Sequence, residues 1–126
     1  MYSQMMLPEN SISLVRGSSK TVLLTILKPD GCPYDLTGGR LVLTIKEFNC
    51  ADQPLLQKLT SDPAQGAITK PREGIAEFYF KPVDTNGLTP KGYSFDVWLI
   101  TASNDRYVLV PESTFLVTQG VTYLPT

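Results

Sequence analysis

The stretch Gly87-Leu88-Thr89-Pro90-Lys91-Gly92-Tyr93-Ser94-Phe95-Asp96-Val97 decides the fold, because a chain break is followed at once by an alternating strand. Pro90 lacks a backbone N–H and Gly92 tolerates unusual backbone angles, so a helix or a central strand does not continue through them. Beyond the break, one side of an extended chain carries four large apolar residues, Tyr93, Phe95, Val97 and Leu99. Such a face needs a covering layer. We therefore expect this strand at the centre of a sheet, with these four residues in the core.

Short alternating segments recur through the rest of the chain, each bounded by Gly, Pro, Asn or Asp. They lie at 12–16, 18–28, 40–48, 74–81, 106–110 and 113–118, with weaker ones at 55–59 and 67–69. Pro111 and Glu112 interrupt the last pair, and only 83–88 suits a helical turn, capped by Asp84 or Thr85. Seven or eight such strands predict an antiparallel β-sandwich, with a small barrel as the alternative. We interpret residues 1–10 as an N-terminal arm and 11–126 as one sandwich domain.

Composition bounds the class of protein. A chain of 126 residues with 42% apolar residues suits one domain with a real core. The net charge of -1 gives no electrostatic reason to bind nucleic acid or an anionic membrane. No apolar run reaches the ~18 residues of a membrane span, and the polar start lacks the features of a signal peptide, so we expect synthesis in a cytoplasm. Cys32 and Cys50 match no metal motif, and we interpret them as two partly buried free thiols.

The sequence offers little to a catalytic mechanism. Histidine is absent, which excludes Ser-His-Asp and Cys-His nucleophile systems and imidazole-bearing zinc sites. Asp84, Asp96 and Asp105 are the candidates for a glycosidase pair or a calcium cluster. Asp84 and Asp105 lie in predicted turns, which favour aspartate for its local hydrogen bonds, and for the mid-strand Asp96 we expect Arg106 or a backbone amide as partner. We predict no enzyme, no metal site and no cofactor.

The sequence also indicates candidate residues for contact with a partner. Trp98 is the main candidate, because tryptophan anchors interfaces with a large apolar body and one polar group. The tyrosines at 79, 93, 107 and 123 fit core or sheet-face positions on alternating strands. In the N-terminal arm, methionine and leucine supply adaptable apolar surface. The predicted interface set is Met5, Met6, Leu7 and Trp98.

Three stretches together resemble a known family: Ile12–Lys20 leading to Pro29–Gly38, then Phe80–Leu88, then Lys91–Val97. The first part runs in the order short strand, Arg-Gly, strand, Asp-Gly turn and Asp-Leu-Thr-Gly. The later part runs in the order Asp-Thr, Leu, Gly-Tyr and an aromatic residue followed by Asp. This order is similar to that of the immunoglobulin-like domain of tailed-bacteriophage structural proteins. The N-terminal domain of the phage baseplate upper protein belongs to that group. The resemblance covers about 11–122 and implies that Leu36 and Leu88 plug the sandwich.

The resemblance also implies a role. It predicts a non-enzymatic virion structural protein, made in the host cytoplasm, that docks on the particle as a tail or baseplate attachment module. Its partners would be other virion proteins of the tail, baseplate or capsid, with self-association also open. Capsid decoration is the alternative function, followed by a carbohydrate-binding module that stacks exposed aromatics on sugar.

Overall fold

The computed structural model describes residues 11–48 and 53–120. Within these ranges the chain is nearly all β, 53% strand and 7% helix. The strands are β1 (Ile12–Val15), β2 (Lys20–Thr25), β3 (Arg40–Lys46), β4 (Leu56–Leu59), β5 (Gly66–Lys70), β6 (Ile75–Phe80), β7 (Gly92–Ile100) and β8 (Arg106–Thr118). A 3₁₀ turn at Pro71–Glu73 precedes β6, and one helical turn, α1 (Pro82–Thr85), follows it.

The strands form two sheets packed as a sandwich. The larger has the order β1-β8-β7-β3-β4 and the smaller the order β2-β6-β5. The predicted β-sandwich and the central position of β7 are confirmed. One pair departs from the predicted antiparallel arrangement: β1 runs parallel to β8, with Ile12 opposite Phe115 and Leu14 opposite Val117. Alternation within a strand says which face is buried but not in which direction its partner runs.

The core lies between the sheets and is built from every second residue of the strands. Tyr93, Phe95, Val97 and Leu99 are all buried, as predicted. The rings of Phe80 and Phe115 lie 5.4 Å apart between centroids and join the smaller sheet to the larger. The remaining buried apolar residues are Ile12, Leu14, Val22, Leu24, Ile26, Leu36, Leu41, Leu43, Ile45, Ala76, Phe78, Leu109, Val110 and Val117.

Pro111 does not break the last strand, contrary to the sequence-based expectation. β8 runs without interruption, and its register against β7 shifts between Phe95 and Val97 and again before Trp98. The extra residues of β8 form a β-bulge at Pro111. On its other side, β1 covers only residues 115–118 of β8. A proline that donates no hydrogen bond is tolerated at such a bulge beside an unpaired strand side.

The two predicted plugs are found at the ends of the sandwich. Leu36 is buried, Gly38 adopts a φ of 78°, and Leu88 packs against the core. Asp84 caps α1 by accepting the backbone N–H of Lys81 at 2.7 Å. Thr85 is buried and serves another purpose, since its Oγ1 accepts the N–H of Gly17 at 2.9 Å and ties the β1–β2 turn to the helix. Cys32 is exposed, so the expectation that it is partly buried is wrong. The arm 1–10, Cys50 and residues 121–126 lie outside the described residues.

Candidate contact surface

The three candidate acids occupy separate environments. Asp84 forms an ion pair with Lys58 at 2.7 Å, Asp96 accepts a hydrogen bond from Trp98, and Asp105 accepts one from Ser103 in the hairpin turn. Within the described ranges, no group of three His, Cys, Asp or Glu side chains is placed to hold a metal ion. Each acid is thus engaged in a local contact of its own.

The ion pair of Lys58 and Asp84 was not foreseen from the sequence. Lys58 lies on β4 opposite Leu43 and points into the sandwich, where its side chain is 6% exposed. Its ammonium contacts the Asp84 carboxylate and lies 5.5 Å from the centre of the Phe80 ring. The pair joins β4 to α1. The only indication in the sequence was that Lys58 lies two residues after Leu56 and so shares its face of the strand. This indication is weak, because lysine is rarely buried.

The outer face of the larger sheet carries an apolar row across four strands. Strand registers place Leu59 opposite Val42, Val42 opposite Trp98, and Trp98 opposite Val108. Residues directly opposite on neighbouring strands share a face, so these four side chains form one continuous line. Trp98 is 38% exposed and Val108 is 40% exposed. We call Leu59, Val42, Trp98 and Val108 the outer row.

Charged side chains flank the outer row with opposite sign on its two sides. On one side, Ile100 lies between Arg40 and Arg106, and both arginines are exposed. We call the two arginines the basic row. On the other side, Asp96 lies on β7 where the β8 bulge brings Glu112 alongside it. We call these two carboxylates the acidic row. Each row lies about 7 Å from Trp98 along the strands.

A hydrogen bond fixes the orientation of Trp98. Its indole Nε1 donates to Oδ2 of Asp96 at 3.0 Å. The expected partner of Asp96, Arg106, is wrong, because Arg106 lies opposite Ile100, about 13 Å from Asp96 along the sheet. The indole thus lies along its own strand toward the acidic row. Trp98 was predicted as an interface residue from its type alone, and the structure places it in the middle of the outer row.

A shallow hollow adjoins the acidic row. It has a volume of about 100 Å³ and is lined by Thr44, Lys46, Ser94, Phe95, Asp96 and Glu112. The hydroxyl of Ser94 donates to Glu112 at 3.0 Å and holds that carboxylate at the rim. A second, open hollow of about 430 Å³ lies at the opposite edge, beside 39–40, 60–63 and 66–68. The first hollow accommodates the end of one side chain and extends the contact surface beside Trp98.

The other aromatic candidates point elsewhere. Tyr93 is in the core, and its hydroxyl donates to the carbonyl of Thr89 at 2.6 Å. Tyr79 lies on the smaller sheet, where its hydroxyl donates to Glu77 and that bond raises the Tyr79 pKa. Tyr107 lies opposite Leu99, so it shares the inner side of the sheet rather than that of Trp98. Tyr123 lies outside the described residues. Tyr79, Tyr93 and Tyr107 therefore build no aromatic platform around Trp98.

The outer face of the smaller sheet provides the contrast. Leu23 is 55% exposed there, and its cross-strand neighbours are Glu77 and then Ala67. Its row thus contains one large apolar residue, a charge and a small residue. Isolated exposed apolar residues are normal on proteins, whereas contiguous ones mark contact surfaces.

Comparisons with known proteins bear on the fold. No protein-family model matches the chain, and no curated protein matches it. Among solved structures, a chain of murine CRIg is similar, with a TM-score of 0.41 and 7% sequence identity, covering 87% of this chain and 92% of that one. The two sheets of the chain itself show a β-sandwich. Across the described ranges, no helix has the length and hydrophobicity of a membrane span.

Proposed function

We propose that the chain is a non-enzymatic structural protein of a tailed-phage particle, docking as a tail or baseplate attachment module. The contact is made by the outer face of the larger sheet. The observation that carries this proposal is the outer row, in which apolar side chains span four strands around an oriented tryptophan. The place in a virion rests on the resemblance of the Asp-Leu-Thr-Gly and Gly-Tyr-aromatic-Asp segments to phage structural domains.

The shape of the surface favours a protein partner over a sugar. A sugar-binding face presents coplanar aromatic rings in a groove, whereas Trp98 lies on the outer face of the larger sheet, Tyr79 on the smaller sheet and Tyr93 in the core. The outer row instead resembles the centre of a protein interface, with Trp98 at the middle and charged residues at the rim. This arrangement supports assembly.

The surface is also rigid enough for assembly. The outer residues of β3 and β7 alternate with Leu41, Leu43, Val97 and Leu99, all of which are buried in the core. Because the backbone beneath the outer row is held on its inner side, little chain entropy is lost when a partner binds. Val42 and Trp98 are therefore presented in fixed positions.

The N-terminal arm is proposed as an additional contact. Its segment Met5, Met6 and Leu7 offers flexible apolar side chains of the kind used at adaptable surfaces. Deletion of residues 1–8 should leave the unfolding midpoint unchanged and weaken binding to particles that have been stripped of the protein. Equal occupancy of full-length and truncated chains in direct competition removes the arm from the contact.

Cryo-electron microscopy of purified particles from the phage that encodes the chain tests the proposal. We expect the sandwich at repeated positions on the tail or baseplate, with Trp98 covered by neighbouring protein. Density on the capsid shell would assign the chain to decoration instead. Absence of the chain from purified particles, checked by mass spectrometry, overturns the virion role.

A further inference from the structure

We propose that the outer face of the larger sheet binds a second copy of this chain, with the two sheets face to face and the strands of the partner reversed. This inference rests on the proposed function, since it takes the face to be an assembly surface and names the partner. It is carried by the layout of charge around the outer row: the basic row lies on one side of Trp98 and the acidic row on the other.

A surface with this layout is complementary to itself. In a two-fold dimer the same patch is used twice, so residue i of one copy meets residue j of the other, and j meets i. Two sheets that stack face to face are related by an axis lying in the plane between them. When that axis runs along the outer row, it exchanges the two sides, so that the basic row of one copy covers the acidic row of the other.

The individual pairs follow from the strand positions. Arg106 and Glu112 both lie on β8, on opposite sides of Val108, and so Arg106 meets Glu112 of the second copy twice in the dimer. Arg40 on β3 meets the position of Thr44, next to Asp96 on the neighbouring strand β7. Guanidinium groups suit such contacts, because they form paired hydrogen bonds with carboxylates.

The apolar part of the contact is also self-matching. With the axis along the outer row, Trp98 stacks near its own counterpart, and Val42 and Val108 do the same. Of the described residues that line the hollow beside the acidic row, Lys46 is the only positively charged one. It lies four residues from Val42 along β3. It therefore falls beyond the arginines of the second copy, over Gly38, which lies beside Ala102 in the 101–105 turn.

Charge excludes the other simple arrangement. A two-fold axis parallel to the strands does not exchange the two ends of the strands. The basic row of one copy then covers the basic row of the other. With that axis through β7, Arg40 of one copy would face Arg106 of the other, which is destabilising for like charges at contact distance. The charges therefore fix the direction of the partner's strands.

The size of the face sets the expected affinity. Four strands at about 4.8 Å and seven residues at about 3.3 Å give a footprint of roughly 440 Å² per copy. This lies below the roughly 800 Å² per partner of a standard stable interface. We therefore expect a dimer that forms in the micromolar range and dissociates on dilution.

Sedimentation velocity between about 1 and 500 µM tests the proposal, a range that brackets micromolar dissociation constants. Wild type should move from monomer to dimer, and Arg106→Glu or Glu112→Arg should each raise the dissociation constant about tenfold, because reversal places like charges together at two symmetric points. An equimolar mixture of the two variants restores both contacts and should form a mixed dimer. The double variant should dimerise as wild type does.

Matched controls keep the result interpretable. Leu23→Lys on the smaller sheet should dimerise normally, whereas Trp98→Lys should remain monomeric, with circular dichroism confirming that each is folded. If a charge variant does not fold, raising the salt concentration of wild type provides the same test, because screening weakens exposed ion pairs. A failure of the mixed dimer to form overturns the proposed pairing.

The two proposals fail differently. A wild-type chain that is monomeric at every concentration overturns the self-pairing. If Trp98→Lys then still fails to bind stripped particles, the outer face docks on another virion protein and the proposed function stands. A dimer of the predicted pairing that is absent from purified particles leaves the self-pairing in place and removes the virion role.

Discussion

The nine residues of β7 alternate between two faces that differ in burial. The inner face buries Tyr93, Phe95, Val97 and Leu99 and holds the sandwich together. The outer face presents Trp98 between the acidic row and the basic row, and we propose that its exposed apolar surface serves contact with a partner. We therefore expect stability and assembly to be separable in this chain, since alternate residues of one strand can be changed independently.

The largest expected effect is on the inner face. Phe95→Ala removes a buried ring from the centre of the larger sheet and should lower the free energy of unfolding by about 3–5 kcal/mol. Chemical denaturation of wild type and variant measures it. Trp98→Ala on the outer face should cost clearly less, and an equal loss for both variants would contradict the division between the faces.

The buried ion pair provides the next test, because it is the one charged contact on the inner side of β4. Lys58→Met leaves the nearly buried Asp84 carboxylate without its ammonium partner, and we expect a loss somewhat below the ~3–5 kcal/mol typical of such changes. Asp84 keeps its bond from Lys81, which moderates the effect. In a double-mutant cycle, Lys58→Met with Asp84→Asn should recover part of the loss. No recovery would show that packing of the lysine stem dominates.

A smaller effect is expected from the bond that orients Trp98. Asp96→Ala frees the indole, and an exposed hydrogen bond of this kind contributes about 0.5–1.5 kcal/mol. The variant also loses one acidic charge from the rim. We expect the thermal midpoint to change little, while association of the outer face weakens several-fold. A large drop in the thermal midpoint with unchanged association would show that Asp96 stabilises the fold and not the association.

The smallest effect concerns the loop that seats Leu36. The hydroxyl of Thr37, and then its backbone N–H, lower the pKa of Asp35 by donating hydrogen bonds to the carboxylate. A lowered folded pKa stabilises the protein above the unfolded value of about 3.9, and the benefit is lost as the pH falls through the folded value. Asp35→Asn should therefore be slightly less stable than wild type at pH 6.

Urea denaturation at pH 6 and near pH 2.5 checks this prediction. The difference between Asp35→Asn and wild type should shrink at the lower pH, because the stability that comes from the lowered pKa of Asp35 is lost as the pH falls toward the folded value. A difference that stays constant between the two pH values would show that the carboxylate charge does not stabilise the turn.

Much of the fold was predictable, because alternation and turn residues act locally. The β7 face, the strands around Val22, Leu43 and Phe78, and the seating of Leu36 all follow from a period of two and from Gly or Asp in turns. Contacts between distant segments were not predictable. The parallel pairing of β1 with β8 and the continuity of β8 through Pro111 depend on which neighbour each strand meets.

The candidate surface was foreseen only in part. Trp98 stood out by residue type, but its line with Leu59, Val42 and Val108 depends on the register of four strands. The predicted partner of Asp96 was wrong for the same reason, since Arg106 lies on the neighbouring strand but opposite Ile100, four residues from Asp96 along β7. Lys58 escaped notice because a lysine on a weakly patterned strand is expected in solvent.

Trp98 is the only tryptophan of the chain, so its fluorescence reports directly on the outer face. The most direct measurement is the emission maximum and acrylamide quenching of wild type as the protein is concentrated and as stripped particles are added. We predict a shift to shorter wavelength and reduced quenching as the face becomes covered, with Leu23→Lys behaving alike. Emission and quenching that change under neither condition would contradict the assignment of this face as a contact surface.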